Sequence, residues 1–271
     1  MYINHNMKTD FISRNLKTIE YSSDKVHEKL SSAKKINRAG DDSSGLAISE
    51  KMNSQIRGLF MAGKNAQDDI SLLQSADGYL EDVTALIQRI RELAVQASNG
   101  ILTEYDREIV GLETDKLLKA VDKVIEYAEF NQLKIFNNMN FRFHIGANMD
   151  QYEELFIEKI DTKYLGIDNL KMDNQENSNQ AIGKLDVALR EINRIRAKIG
   201  SVSNRLEKAY NGIMTNRENT IYSQSRILDT DMAFEFSEYL KHNILTEANS
   251  LTLVNVHKMN NYLLNMLMFI K

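Results

Sequence analysis

The chain has 271 residues with no cysteine, proline or tryptophan, and 34 basic against 38 acidic side chains leave a net charge of −4. Those absences exclude disulfides, thiol chemistry and Cys-ligated metals, and the near balance of charge gives no basic field for nucleic acid. Without proline the commonest helix breaker is gone, and 42% hydrophobic residues argue against disorder, so a mainly α chain is expected.

The first stripe runs through Ile12, Leu16, Ile19, Val26, Leu30 and Ala33 and is interrupted at Ser23. MYINHNMKTDF ahead of it has no apolar run of signal-peptide length, so no cleaved signal is expected. Small and polar residues then crowd Ile36–Glu50, where Asp42 or Ser43 suits a helix cap and Gly40 and Gly45 suit a reversal or close packing. Leu73, Ala76, Leu80, Val83, Ile87, Ile90, Ala94 and Ala97 follow in alternating steps of three and four, a heptad seam for packing along another helix. It stops at Asn99-Gly100, where glycine can turn left-handed. A third helix is expected over about 103–130, with Val110, Leu117, Ala120, Val124 and Tyr127 on its stripe and Thr103 and Asp106 arranged as a capping pair.

The period then changes. Phe141–Ile145 alternates apolar and polar, residues 146–150 supply a turn, and Leu155–Ile160 reads as a return strand, giving a small β-hairpin within about 139–160. Lys171–Gln180 is polar and reads as a loop. The longest seam follows: Leu185, Ala188, Ile192, Ile195, Ile199, Val202, Leu206, Ala209 and Ile213. A looser C-terminal stripe links Leu228, Met232, Phe236, Leu240, Ile244, Leu251 and Leu253. Leu263–Ile270 is too short to span a bilayer, so no membrane insertion is expected. Each terminal helix has few neighbours to cover its stripe. The two ends therefore pair with each other, are buried in an assembly, or both.

Chemistry is not apparent. His5, His27, His144, His242 and His257 form no metal-binding spacing, and no phosphate-loop, dinucleotide or nucleophile-elbow motif occurs. No enzyme, cofactor or metal is expected.

The motifs INRAGDDSSGLAISEKM (residues 36–52), QIRGL (55–59) and IQRIRELAVQASNG (87–100) resemble the N-terminal region of bacterial flagellin. KIGSVSNRLE (198–207) and SRILDTDMAFEF (225–236) resemble its C-terminal region, and FHIGANMDQ (143–151) and the MYINHNM start are similar to the spirochaete core flagellins of periplasmic flagella. The resemblance implies an elongated bundle of long antiparallel coiled-coil helices with a small hairpin and no outer variable domain. It implies terminal segments 1–44 and 226–271 that pair and line a filament channel, packing through Leu16, Ile19, Leu30, Leu240 and Ile244, and a core shell over 45–225. It further implies a homopolymer filament subunit, exported unfolded by the flagellar type III apparatus without a cleaved signal and residing in the periplasm if the source is a spirochaete. Its partners would be the export apparatus and chaperone, the filament cap, hook-associated proteins and sheath proteins. A hook–filament junction protein is the alternative within the superfamily.

IQRIRELAVQ also resembles the segment seen by the vertebrate toll-like flagellin receptor, with Arg89, Leu93 and Glu113 on the matching positions. The same patch has packing between subunits as its other reading. Three departures from the family pattern stand out. Ser32-Ala33-Lys34-Lys35 replaces a Ser-Gly-aromatic-basic run, so a helical turn is expected there. Gly111 falls inside the third helix, and the last residues lack the Ala-Gln and Pro-Gln signature.

Overall fold

The computed structural model describes residues 7–269, with the side chains of 263, 264 and 267–269 left aside; the MYINHN start lies outside the described residues. The elements are α1 (Met7–Ser32), α2 (Ser43–Ala97), α3 (Glu104–Tyr127), β1 (Glu129–Phe130), β2 (Leu133–Lys134), β3 (Met139–His144), β4 (Tyr152–Ile157), α4 (Gln175–Leu228) and α5 (Met232–Phe269). They divide into one unit of residues 1–54 with 219–271 and a second of residues 55–218, so the division falls inside α2 and α4. Among the described residues no helix is long and apolar enough to cross a membrane.

In the second unit every residue of the expected α2 seam, Leu73 to Ala97, is buried, and the buried positions extend back through Ala66, Ala62 and Leu59. The α4 seam is buried likewise from Leu185 to Leu206 and again at Ile213, while Ala209 is half-buried. Arg196 forks onto Asp77 at 2.8 and 3.1 Å, and Arg91 Nε meets Asp186 Oδ1 at 2.8 Å. Rising numbers on α2 meet falling numbers on α4, so the seams run antiparallel. Polar pairs of this kind flank a hydrophobic seam and fix its register.

The stripe of α3 lies about 100° round from its expected position. Val110, Thr114, Leu118, Val121 and Ile125 are buried, while Tyr127 is exposed and Leu117, Ala120 and Val124 are half-buried. Thr114 is the cause: its hydroxyl donates to the Val110 carbonyl at 3.0 Å and contacts Met172 Sδ at 3.5 Å, so a polar residue fills a core position. Thr103 and Asp106 do form the reciprocal capping box at the helix start. The end of α2 carries no left-handed glycine; instead Arg107 donates to the carbonyls of Ala97 and Asn99 at 3.0 and 2.9 Å.

The expected hairpin is present with shifted ends: β3 pairs antiparallel with β4, from Met139↔Ile157 to His144↔Tyr152. Phe141, Phe143, Leu155 and Ile157 point into the core, and Arg142 bridges outward to Glu154 at 2.7 Å. A further two-residue hairpin, β1–β2, turns at Asn131 and Gln132, both left-handed, and was not anticipated. The polar segment 171–180 is only partly loop. Asn174 Oδ1 accepts from the Asn177 amide at 2.8 Å and starts α4, whose seam reaches back to Ala181 and Ser178, while Met172 is buried.

In the first unit α1 packs against α5. The connector after α1 is not a helical turn. Ala33 takes φ 55°, the conformation that a glycine would enter freely, and the backbones of Lys34 and Asp229 pair as an isolated antiparallel bridge. Lys35 N donates to Leu228 O at 2.6 Å and Thr230 N to Ala33 O at 3.3 Å, so the two connectors are tied to each other through their backbones.

Candidate assembly surfaces

The start of α2 is built by two adjacent carboxylates. Asp41 accepts from the Arg38 and Asn37 amides, Asp42 from the Gly45 and Ser44 amides, and these hydrogen bonds hold both below the usual carboxylate range. A Cβ on Gly45 would come within 2.5 Å of the Asp42 carboxylate and 2.7 Å of Ile36 Cδ1, so any larger residue here must displace one of these side-chain ends. Gly40 meets nothing and has no special φ. Asp231 caps α5 in the same way, accepting from Ala233 N at 2.9 Å.

The α1–α5 pair joins two unlike faces. On α1 the inward positions are Ile12, Leu16, Ile19, Val26 and Leu30, buried or half-buried as their spacing implies. On α5 the covered positions are Glu235, Tyr239, His242, Thr246, Asn249, Leu253, Val256 and Asn260, in a strict heptad, and most are polar. Lys29 Nζ pairs with Glu235 Oε1 at 3.0 Å, and His27 meets Tyr239 edge-on with ring centres 5.5 Å apart. Most of the expected C-terminal stripe therefore lies outward: Met232, Phe236, Leu240, Ile244 and Leu251 are exposed, Leu240 by 46% and Ile244 by 67%, as are Phe234 and Val254, while Leu228 and Leu253 are half-buried. Its looseness in the sequence reflects the fact that it follows no single seam. The polar heptad facing α1 is invisible to a search for apolar periodicity.

In the second unit Arg89 and Glu113 are brought together. Arg89 Nη2 lies 3.3 Å from Glu113 Oε1, its Nη1 is 3.0 Å from Glu92 Oε2, and both carboxylates raise the guanidinium's pKa, Glu92 most. Leu93 does not join them. It is 2% exposed, because the step from Ile90 places it beside Ala94 within the buried arc of α2. Tyr105, Ile109 and Leu112 form an exposed apolar stripe on α3, and Val95 on α2 is exposed as well. The spacing of four and three along α3 is the stripe's signal in the sequence.

No group of acidic, His or Cys side chains suited to a metal occurs among the described residues. The arrangement offers surfaces for association: one broad apolar face on the terminal helix pair and one mixed patch on α2 and α3.

Two family models match this chain, the bacterial flagellin N-terminal helical region over residues 3–141 and the bacterial flagellin C-terminal helical region over residues 182–267. The flagellar filament 33 kDa core protein of Treponema phagedenis is 41% identical across 98% of the chain and all of the relative. The filament core protein of Brachyspira hyodysenteriae is 39% identical over 96% and 97% of the two chains, and the flagellin of Bacillus subtilis 37% over 95% and 97%. The crystal structure of Bacillus cereus flagellin superimposes with a TM-score of 0.50 at 27% identity, covering 55% of this chain and 88% of that one. A flagellar hook-associated protein structure from Vibrio parahaemolyticus shares the fold alone, with a TM-score of 0.58 at 10% identity over 70% of this chain and all of that one. The chain belongs to the bacterial flagellin family.

Proposed function

We propose that the chain is a structural subunit of a flagellar filament and that it polymerises through the outward face of its α1–α5 pair. One observation carries this reading: α5 turns polar residues toward α1 and leaves Phe234, Phe236, Leu240, Ile244, Leu251 and Val254 exposed. Burying apolar area is worth about 25 cal/mol per Å², so a long helix with this face outward gains most by contact with further copies. Residues 1–44 and 226–271 then form the channel-lining part, and 45–225 the surrounding shell. Relatives whose names denote filament core proteins favour the filament over the hook–filament junction.

The finer expectations follow from the same reading: export unfolded through the flagellar type III apparatus with a chaperone, capping and hook-associated partners, and a periplasmic filament, with sheath proteins, in a spirochaete. The shell patch at Arg89 and Glu113 serves contact between subunits. Electron microscopy of the purified chain, after removal of denaturant and addition of filament seeds, tests the proposal. Tubular filaments extending from the seeds are expected. A chain that stays monomeric with seeds present overturns it.

A further inference from the structure

With neither cysteine nor tryptophan in the chain, methionine is its most readily oxidised side chain, and there are 12 of them. Four described methionines of the α1–α5 unit, Met7, Met232, Met259 and Met266, are between 46% and 81% exposed. The register fixed by Lys29–Glu235 and His27–Tyr239 carries Met7 to the level of residues 257–259. Met7, Met259 and Met266 thus gather at one end of the helix pair, and Met232 stands at the other. Elsewhere Met172 is enclosed beneath Thr114, whereas Met61 on α2 and Met149 at the tip of the β3–β4 hairpin are exposed.

We infer that oxidation of these four methionines, spread over both ends of the helix pair, decides whether a free subunit can enter the polymer. The inference rests on the assembly role proposed above. In the reaction the oxygen–oxygen bond of a peroxide breaks, one oxygen passes to the thioether sulfur, and the sulfur is oxidised by two electrons. The peroxide is reduced to water. The sulfoxide is a polar acceptor on a face that must be dehydrated for contact. An oxidised subunit is therefore disfavoured in the polymer. A subunit already assembled has the same sulfurs covered and resists the oxidant.

Monomer and filament are treated separately with hydrogen peroxide, and peptide masses locate each added oxygen. In the monomer, oxidation is expected at Met7, Met232, Met259 and Met266, and at Met61 and Met149 of the second unit, but not at Met172; in filaments the four terminal-unit sites are expected to be protected. The oxidised monomer's critical concentration should rise about tenfold or more and return after treatment with methionine sulfoxide reductases. The quadruple variant M7L/M232L/M259L/M266L should assemble like the parent and keep assembling after peroxide, with its helicity checked by circular dichroism. An unchanged critical concentration after oxidation, or a quadruple variant as sensitive as the parent, overturns the inference. Untreated protein that forms no polymer overturns the assembly reading itself, and the inference with it. Normal polymer from untreated protein with no effect of oxidation overturns the inference alone.

Discussion

Lys29 reaches across from the end of α1 to Glu235 in the first turn of α5, Nζ to Oε1 at 3.0 Å, and the glutamate side chain is almost wholly enclosed. Its other partner is the Thr230 hydroxyl at 3.3 Å. Removing the lysine leaves a carboxylate in a dry setting with one neutral donor. Lys29→Met is expected to loosen the pair by about 1–3 kcal/mol. Glu235→Gln, which removes the charge and keeps a polar group, should cost less. Limited proteolysis separates the outcomes, since α1 and α5 should be cut sooner in Lys29→Met while residues 55–218 keep the parent's resistance. Equal cleavage of the two variants would refute the ranking.

Leu16 and Leu240 resemble each other in the sequence and differ in the fold. Leu16 is half-buried against α5, whereas Leu240 lies on the outward face. Leu16→Asp should therefore weaken the helix pair within the monomer. Leu240→Asp should leave monomer melting unchanged and abolish polymer, because its charge would be buried only between subunits. A fall in monomer melting temperature for Leu240→Asp would place that leucine in an intramolecular core.

Two glycines in helices respond oppositely to alanine. At Gly111 in α3 a Cβ meets nothing within 4 Å, so Gly111→Ala is expected to stabilise the second unit by about 1 kcal/mol. At Gly45 the Cβ would strike Asp42 and Ile36, so Gly45→Ala must disturb the carboxylate that caps α2 and is expected to destabilise by about 1 kcal/mol or more. Thermal melting of both variants checks the opposite signs.

Asp69 sits on the α2 seam between Ala66 and Leu73, a position otherwise apolar, and one of its carboxylate oxygens is buried without a hydrogen-bond partner. Burial first, and the neighbouring Asp68 charge second, push its pKa up to about 7. The folded chain then binds a proton that the unfolded chain releases at its ordinary, lower pKa. Stability from this residue is present below about pH 4, and is lost as pH rises through about 7. Asp69→Asn should raise the melting temperature at pH 8 and flatten its dependence between pH 4 and 8. A variant with the parent's full pH slope would exclude Asp69 as its source.

The long seams were legible because a helix packed along another writes its period directly into the sequence: Leu73 to Ala97 and Leu185 to Leu206 are buried without exception. Short-range chemistry was legible at Thr103 and Asp106 for the same reason, since the cap is local. What escaped depended on polar residues in covered places. Thr114 satisfied its hydroxyl within its own helix and so could enter the core, rotating the inferred stripe of α3. The covered face of α5 is mostly polar, with His242, Thr246 and Asn249, and only Leu253 and Val256 give it an aliphatic signal. Leu93 lies outside the heptad seam of α2 and is buried all the same, because heptad counting assigns one narrow seam whereas α2 buries a wider arc.

Arg89 and Leu93, four residues apart on α2, should separate surface function from core packing. Arg89 is exposed and tied to Glu92 and Glu113, so Arg89→Ala breaks surface pairs and is expected to leave the melting temperature nearly unchanged. If the patch serves contact between subunits, the same change raises the critical concentration for polymerisation. Leu93→Ala instead opens a cavity in the core, at a cost of about 2–5 kcal/mol, and should lower the melting temperature clearly. A cell reporter carrying the toll-like flagellin receptor adds the third measurement. If the patch also meets that receptor, Arg89→Ala should weaken signalling by folded monomer, because the arginine side chain is 53% exposed. Any loss with Leu93→Ala should follow its loss of folded protein and vanish when the comparison is made at equal folded concentration. Filaments of Arg89→Ala forming at the parental critical concentration, with signalling abolished, would mean that receptor contact and subunit contact use different surfaces.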